Sequence, residues 1–88
     1  MRESQIEKAV AYHARGQGWL CYKWTSPGTR GVPDRIFIKD GQFKLVEFKA
    51  PGGRLSEHQR RAIAILEAAG AEVHVIDNVE AGRALFDA

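Results

Sequence analysis

The sequence predicts an α/β domain in which helices flank a central mixed four-stranded sheet, with elements in the order αβββαβα. Three observations lead to this fold class. Helical and strand-like patterns alternate along the chain, an Asp-Gly pair separates two β-rich runs, and a capping-box motif precedes the second helix. Because 88 residues suffice for one core, residues 1–88 are expected to form a single domain.

The N-terminal part predicts a helix, a strand and a loop. Apolar residues recur at helical spacing over residues 4–17, where Gly16 and Gly18 favour the end of the helix. The aromatic-rich residues 19–24 predict a strand, and the composition of residues 26–33 predicts a turn-rich loop.

The middle of the chain predicts a hairpin. Residues 34–39 and 42–49 are β-rich, and Asp40-Gly41 between them favours a two-residue type I′ turn.

The C-terminal part predicts two helices and a strand. Ser56 begins a capping box, and its helix is expected to run to about Ala69, with Gly70 as its stop. Residues 72–76 predict the fourth strand. Asp77 or Asn78 is expected to cap a last helix that ends near Phe86.

Composition limits the class of protein. No apolar run approaches the roughly 20 residues of a membrane span, and residues 1–9 lack the apolar segment of a secretory signal. Cys21 is the only cysteine, so an internal disulfide and a zinc finger are excluded, and a reducing cytoplasm is expected. Residues 15–61 hold ten Lys and Arg against four Asp and Glu. This basic zone suits a polyanion, and a solvated surface is the alternative that charge alone does not exclude.

The predicted hairpin brings two acids together. If Asp40-Gly41 alone forms the loop, Asp34 faces Glu47, and Lys49 shares their face because side chains alternate along a strand. Opposed like charges require compensation by a shared proton, by Lys49 or by a divalent metal. From the pairing alone, a structural salt-bridge cluster remains an alternative.

The same residues resemble a nuclease signature. Pro33-Asp34 followed by Glu47-Phe48-Lys49 matches the PD-(D/E)xK pattern. The wider segments SPGTRGVPDR and VEFKAPGGRLSEHQ, with a Glu-bearing first helix, resemble the VRR-NUC branch over about residues 3–77. The resemblance implies a restriction-endonuclease-like fold and a stand-alone, phage- or prophage-type protein.

The resemblance also implies roles for the motif residues. Asp34, Glu47 and the backbone carbonyl of Phe48 would bind Mg²⁺ or Mn²⁺. Such an ion polarises the scissile phosphate and lowers the pKa of its bound water. Lys49 would orient or activate that water and add positive charge where negative charge develops.

Two further polar positions are expected to belong to the site. The family has a Glu on the first helix, for which Glu3 and Glu7 are candidates on one helical face. We expect Glu7, which flanks the apolar stripe, and expect Glu3 to be a solvated carboxylate. Gln59 points inward, where it would support the site, serve as the capping-box partner of Ser56, or do both.

Several residues near the motifs are candidates for DNA contacts. Arg30 and Arg54, in loops beside the site, are the strongest candidates for backbone phosphates. For Ser26 a purely local loop role is an equal alternative, and Arg35 and Lys44 are expected on the opposite sheet face. The full set of predicted DNA-binding residues is Lys23, Ser26, Arg30, Arg54 and Arg61.

The sequence therefore predicts a Mg²⁺- or Mn²⁺-dependent endonuclease for structured DNA, similar to Holliday-junction resolvases. A four-way junction has two-fold symmetry, so a homodimer in the cytoplasm of a bacterial cell is expected, without a membrane partner. The alternatives are a catalytically silent DNA-binding module on the same fold and a small assembly protein with a fortuitous motif.

Overall fold

The computed structural model describes residues 1–87, and its elements follow the predicted order αβββαβα. The helices and strands are α1 (Glu3–Gly16), β1 (Leu20–Lys23), β2 (Arg35–Lys39), β3 (Gln42–Phe48), α2 (Glu57–Ala68), β4 (Glu72–Ile76) and α3 (Val79–Phe86). Among residues 1–87, each helix is too short or too polar to cross a bilayer.

The four strands form one sheet in the order β1-β2-β3-β4. The pairs β1–β2 and β2–β3 are antiparallel, whereas β3 and β4 are parallel. Parallel neighbours need a crossover connection, and α2 provides it. The predicted mixed sheet flanked by helices is therefore confirmed.

The β2–β3 hairpin has the predicted two-residue turn. Lys39 pairs with Gln42, and Ile36 pairs with Leu45. Asp40 and Gly41 both have positive φ, 49° and 78° respectively, as a type I′ turn requires. This turn fixes the register of every later pair in the hairpin.

The main core lies between the sheet and the helices α1 and α3. Phe37, Val46 and Phe48 point to this side and are fully buried, together with Ile6 and Phe86. Cys21 is also buried there, as expected for a small apolar residue. The alternation along the strands sends their other side chains to the opposite face, on which α2 packs over β4.

The capping residues of α2 and α3 explain where these helices begin and end. Ser56 Oγ accepts a hydrogen bond from Gln59 N at 3.1 Å, and Gly70 follows the helix with φ 99°. Asn78 caps α3 by accepting a hydrogen bond from Ala81 N at 2.8 Å, which decides between the two predicted caps. α2 ends at Ala68, and the exposed Ala69 is its C-cap, close to the predicted end.

Candidate active site

Asp34 lies at the entrance to β2, across the hairpin from the end of β3. One more step in the observed register places Asp34 opposite Glu47. Asp34 Oδ2 accepts a hydrogen bond from Phe48 N at 2.8 Å, and the Asp34 carbonyl accepts one from Trp24 N at 3.0 Å. The side chain and the backbone of Asp34 are thus both held in place beside Glu47.

Glu47 is a buried acid, with only 2% of its surface exposed. Its Oε2 atom accepts a hydrogen bond from Gln59 Nε2 at 2.8 Å and lies 3.7 Å from Lys49 Nζ. Its Oε1 atom is buried and has no hydrogen-bond partner among residues 1–87. Because buried polar atoms are normally paired, this free oxygen marks a position at which a ligand is expected.

Burial and mutual repulsion make both acids hard to ionise. Desolvation, followed by the charge of Asp34, raises the pKa of Glu47 to about 7, and Lys49 only partly opposes this. Desolvation also raises the pKa of Asp34, although the Phe48 N–H favours its charged form. A divalent cation between the two carboxylates would remove the repulsion and supply the missing partner of Glu47 Oε1.

Gln59 performs both functions that its position allowed. Its Oε1 atom accepts a hydrogen bond from Ser56 N at 2.8 Å, which completes the capping box, while its Nε2 atom donates to Glu47. The first turn of α2 therefore sets the orientation of the amide that holds the Glu47 carboxylate.

The loop before Asp34 packs directly on the first turn of α2. Gly31 has φ 84°, and a Cβ atom there would lie 2.4 Å from the backbone carbonyl of His58. Only glycine fits such a contact. Pro33, next to Asp34, is fully buried. The loop contact therefore fixes Asp34 relative to Gln59.

The first-helix acids are placed differently from the expectation. Glu7 Oε2 accepts a hydrogen bond from Arg35 Nε at 2.8 Å, on the sheet face opposite to Glu47. Arg35 follows Asp34 directly, so its side chain points to the other face, where it meets α1. Glu7 is thus paired with a cation on this face, although its charge still acts on Asp34.

Glu3 lies one turn earlier in α1, and its charge contributes to the raised pKa of both Asp34 and Glu47. The charge of Glu7 raises the pKa of Asp34 more than that of Glu3 does, but it is not among the causes at Glu47. No three Asp, Glu, His or Cys side chains in residues 1–87 converge closely enough to hold a metal. The available side-chain ligands are therefore Asp34 and Glu47. The pairing of Arg35 with Glu7 on the sheet face covered by α1 was not predicted from the sequence.

The predicted DNA contacts divide into two groups. Arg30, Arg54 and Arg61 are exposed; the first two lie in the loops that flank Asp34 and Glu47. Lys23 lies two residues after the buried Cys21 on β1 and therefore on the same face of the sheet. Its side chain points to the α1 side, away from Glu47. Ser26 is half-buried, and its carbonyl accepts a hydrogen bond from Thr29 N within the loop.

An Asp and a Glu-x-Lys on adjacent hairpin strands of a mixed sheet define a PD-(D/E)xK nuclease domain. The family model of the VRR-NUC domain matches residues 3–80, and the chain belongs to this family of nucleases. This membership argues against a fortuitous motif on an assembly protein.

Two individual proteins are similar to the chain. A protein of Acyrthosiphon pisum secondary endosymbiont phage 1, named "Putative nuclease p44", is 43% identical over 79 residues, which cover 89% of this chain and 85% of that protein. A solved structure of a VRR_NUC domain superposes with a TM-score of 0.86 at 25% identity, covering 94% of this chain and 91% of the other.

Proposed function

We propose that this nuclease is an endonuclease that hydrolyses the DNA backbone with a Mg²⁺ or Mn²⁺ ion held by Asp34, Glu47 and the backbone carbonyl of Phe48. The observation that carries the proposal is the buried Glu47 Oε1 atom, which lacks a partner among residues 1–87 beside a second acid of raised pKa. Hard divalent cations prefer carboxylate and carbonyl oxygens, so the donor set fits.

When bound, the ion would polarise the phosphate and lower the pKa of a water that it holds. Lys49, 3.7 Å from Glu47 Oε2, would orient the attacking water and offset the negative charge that develops on the phosphate during hydrolysis. Gln59 keeps the Glu47 carboxylate aligned through its hydrogen bond. We assign the first-helix role to Glu3 instead of Glu7, because Arg35 holds Glu7.

The substrate we propose is structured DNA, with a four-way junction favoured. Arg30, Arg54 and Arg61 are exposed and would contact backbone phosphates. A homodimer matches the two-fold symmetry of a junction, with one site for each strand to be cut. The 43% identity to a phage protein supports a role in the cytoplasm of an infected bacterial cell.

The test compares a labelled four-way junction, a flap and a linear duplex, each with Mg²⁺, with Mn²⁺ and with a chelator. We expect metal-dependent cleavage, with paired symmetric cuts on the junction. Glu47→Gln removes the metal-binding charge but keeps the shape, so cleavage should be lost while DNA binding remains. Glu67→Gln, an exposed change on α2, is the matched control. Cleavage that persists in the chelator would refute the metal mechanism, and DNA binding without any cleavage would identify a silent binding module.

A further inference from the structure

The sheet exposes an apolar surface on the side of Glu47. Leu20, Tyr22 and Phe43 are 52%, 57% and 60% exposed, and the half-buried Ile36 and Ile38 lie between them. We call these five residues the open face. Leu20, Ile38 and Phe43 form one row across three strands, and Tyr22 and Ile36 lie in the next row. The open face is therefore continuous.

The arrangement of the helices leaves this surface uncovered. The helices α1 and α3 pack on the opposite side of the sheet, around Phe37 and Val46. Within residues 1–87, the backbone of α2 packs against β4, and its first turn reaches the end of β3 through the Gln59 hydrogen bond to Glu47. The face formed by β1, β2 and the start of β3 thus has no partner within the described chain.

We propose that a second copy of this chain packs on the open face, sheet against sheet, in a two-fold symmetric dimer. This deepens the proposed function, because it assigns the dimer a surface. Two sheets pack well face to face at a spacing of about 10 Å when their inward residues are apolar. A two-fold interface brings the same patch of both copies together. The open face contains no charged residue, so the two copies would not bring like charges together.

The size of the open face fits this occupant. Three of its five residues are more than half exposed, and a contiguous apolar patch of about 300–600 Å² is the largest on a typical monomer and often functional. A stable interface buries about 800 Å² on each partner, of which somewhat more than half is apolar. The open face and a polar rim together would supply that area. A polyanion is a poorer occupant, since the open face offers no cation to its phosphates.

The open face also borders the candidate active site. Ile36 pairs with Leu45 in the row next to Asp34 and Glu47, on the same side of the sheet. A dimer formed here would therefore hold two sites in a fixed relation, as paired cuts in a junction require.

The first experiment measures molecular mass by sedimentation over a wide range of protein concentration. The wild type is expected to be a dimer, and Phe43→Glu is expected to weaken the dimer at least about tenfold, because a charge would be buried in the interface. Tyr12→Glu is the matched control, since Tyr12 is 81% exposed on α1, away from the open face, and should leave the dimer unchanged. A monomeric wild type would overturn the proposal.

The second experiment uses Ile38→Cys with a short thiol cross-linker. The native Cys21 is buried on the other face and gives a clean background. Cross-linked dimers should form with Ile38→Cys and not with Tyr12→Cys; equal cross-linking of both variants would contradict the proposed interface.

Two further readouts separate this proposal from the proposed function. Calorimetric Mn²⁺ binding and single-strand nicking should persist in Phe43→Glu, while paired cuts in the junction should be lost. If a monomeric wild type still binds Mn²⁺ and nicks DNA, the dimer fails and the nuclease proposal stands. If Phe43→Glu weakens DNA binding without changing the mass, the open face is a base-stacking surface instead.

Discussion

Phe37 and Glu47 lie on adjacent strands but on opposite faces of the sheet, and their surroundings differ in kind. Phe37 is fully buried against Phe86, and on its face Arg35 and Glu7 satisfy each other. Glu47 is equally buried, yet one of its oxygens has no partner within residues 1–87. One face has its packing and charges balanced, whereas the other retains a buried carboxylate oxygen without a hydrogen-bond partner. The first face stabilises the fold, and the second is the face on which we propose the metal site.

The largest expected effect is on folding stability. Phe37→Ala would leave a cavity beside Phe86 and should lower the free energy of unfolding by about 3–5 kcal/mol, measured by urea denaturation. Phe43→Ala, at an exposed position on the other face, should change it by less than about 1 kcal/mol in protein dilute enough to be monomeric. Equal losses in the two variants would contradict the contrast between the faces.

The next largest effect is on catalysis. Lys49→Met removes the positive charge beside Glu47 and should lower the cleavage rate by about 10²–10³-fold. Calorimetric Mn²⁺ binding should be retained, because the carboxylates remain. Lys44→Met, whose side chain pairs with Glu72 on the other face, serves as the control and should cut at the wild-type rate. A Lys49→Met protein with unchanged turnover would exclude Lys49 from the chemistry.

A pH dependence follows from Glu47. Its pKa in the folded protein, about 7, lies above the unfolded value of 4.5, so the metal-free folded state binds the extra proton between these values. Stability should therefore fall as pH rises from about 4.5 to 7, by on the order of 3 kcal/mol. Glu47→Gln should remove most of this slope in thermal denaturation, and saturating Mn²⁺ should oppose it, because the ion binds the ionised acid. A slope that stays the same in Glu47→Gln would contradict the raised pKa of Glu47.

The smallest effect separates the two acids of α1. Glu3→Gln should weaken Mn²⁺ binding or slow cleavage by about tenfold, as an outer partner of the site does, with stability unchanged. Glu7→Gln should instead reduce stability by about 1–3 kcal/mol, because Arg35 would lose its charged partner. Calorimetry, cleavage rates and urea denaturation on both variants give the comparison, and a reversal of the two results would restore Glu7 as the site residue.

Features set by neighbouring residues were predictable from the sequence. The Asp40-Gly41 turn needs no distant contact, and once its length is known the register of the hairpin follows. Asp34, Glu47 and Lys49 therefore reached one face by counting alone. The capping box of Ser56 and Gln59 is local in the same way, which is why the start of α2 was predicted correctly.

Features set by packing were not predictable from the sequence. Glu3 and Glu7 share a helical face, and only the position of α1 over Arg35 shows which of them forms an ion pair with it. The sequence marks Gly31 only as a loop glycine, and the tertiary structure shows that the backbone of His58 packs against it.

The sequence by itself determined the hairpin, the helix caps and the motif residues that the hairpin aligns, because those features depend on contacts between residues close along the chain. Only the tertiary structure decided which acid of α1 pairs with Arg35 and which apolar face stays uncovered. Alternation along β1 and β2 marks a face as apolar but says nothing about what lies over it. That depends on where α2 packs, and α2 packs over β4, which leaves Tyr22 and Phe43 exposed.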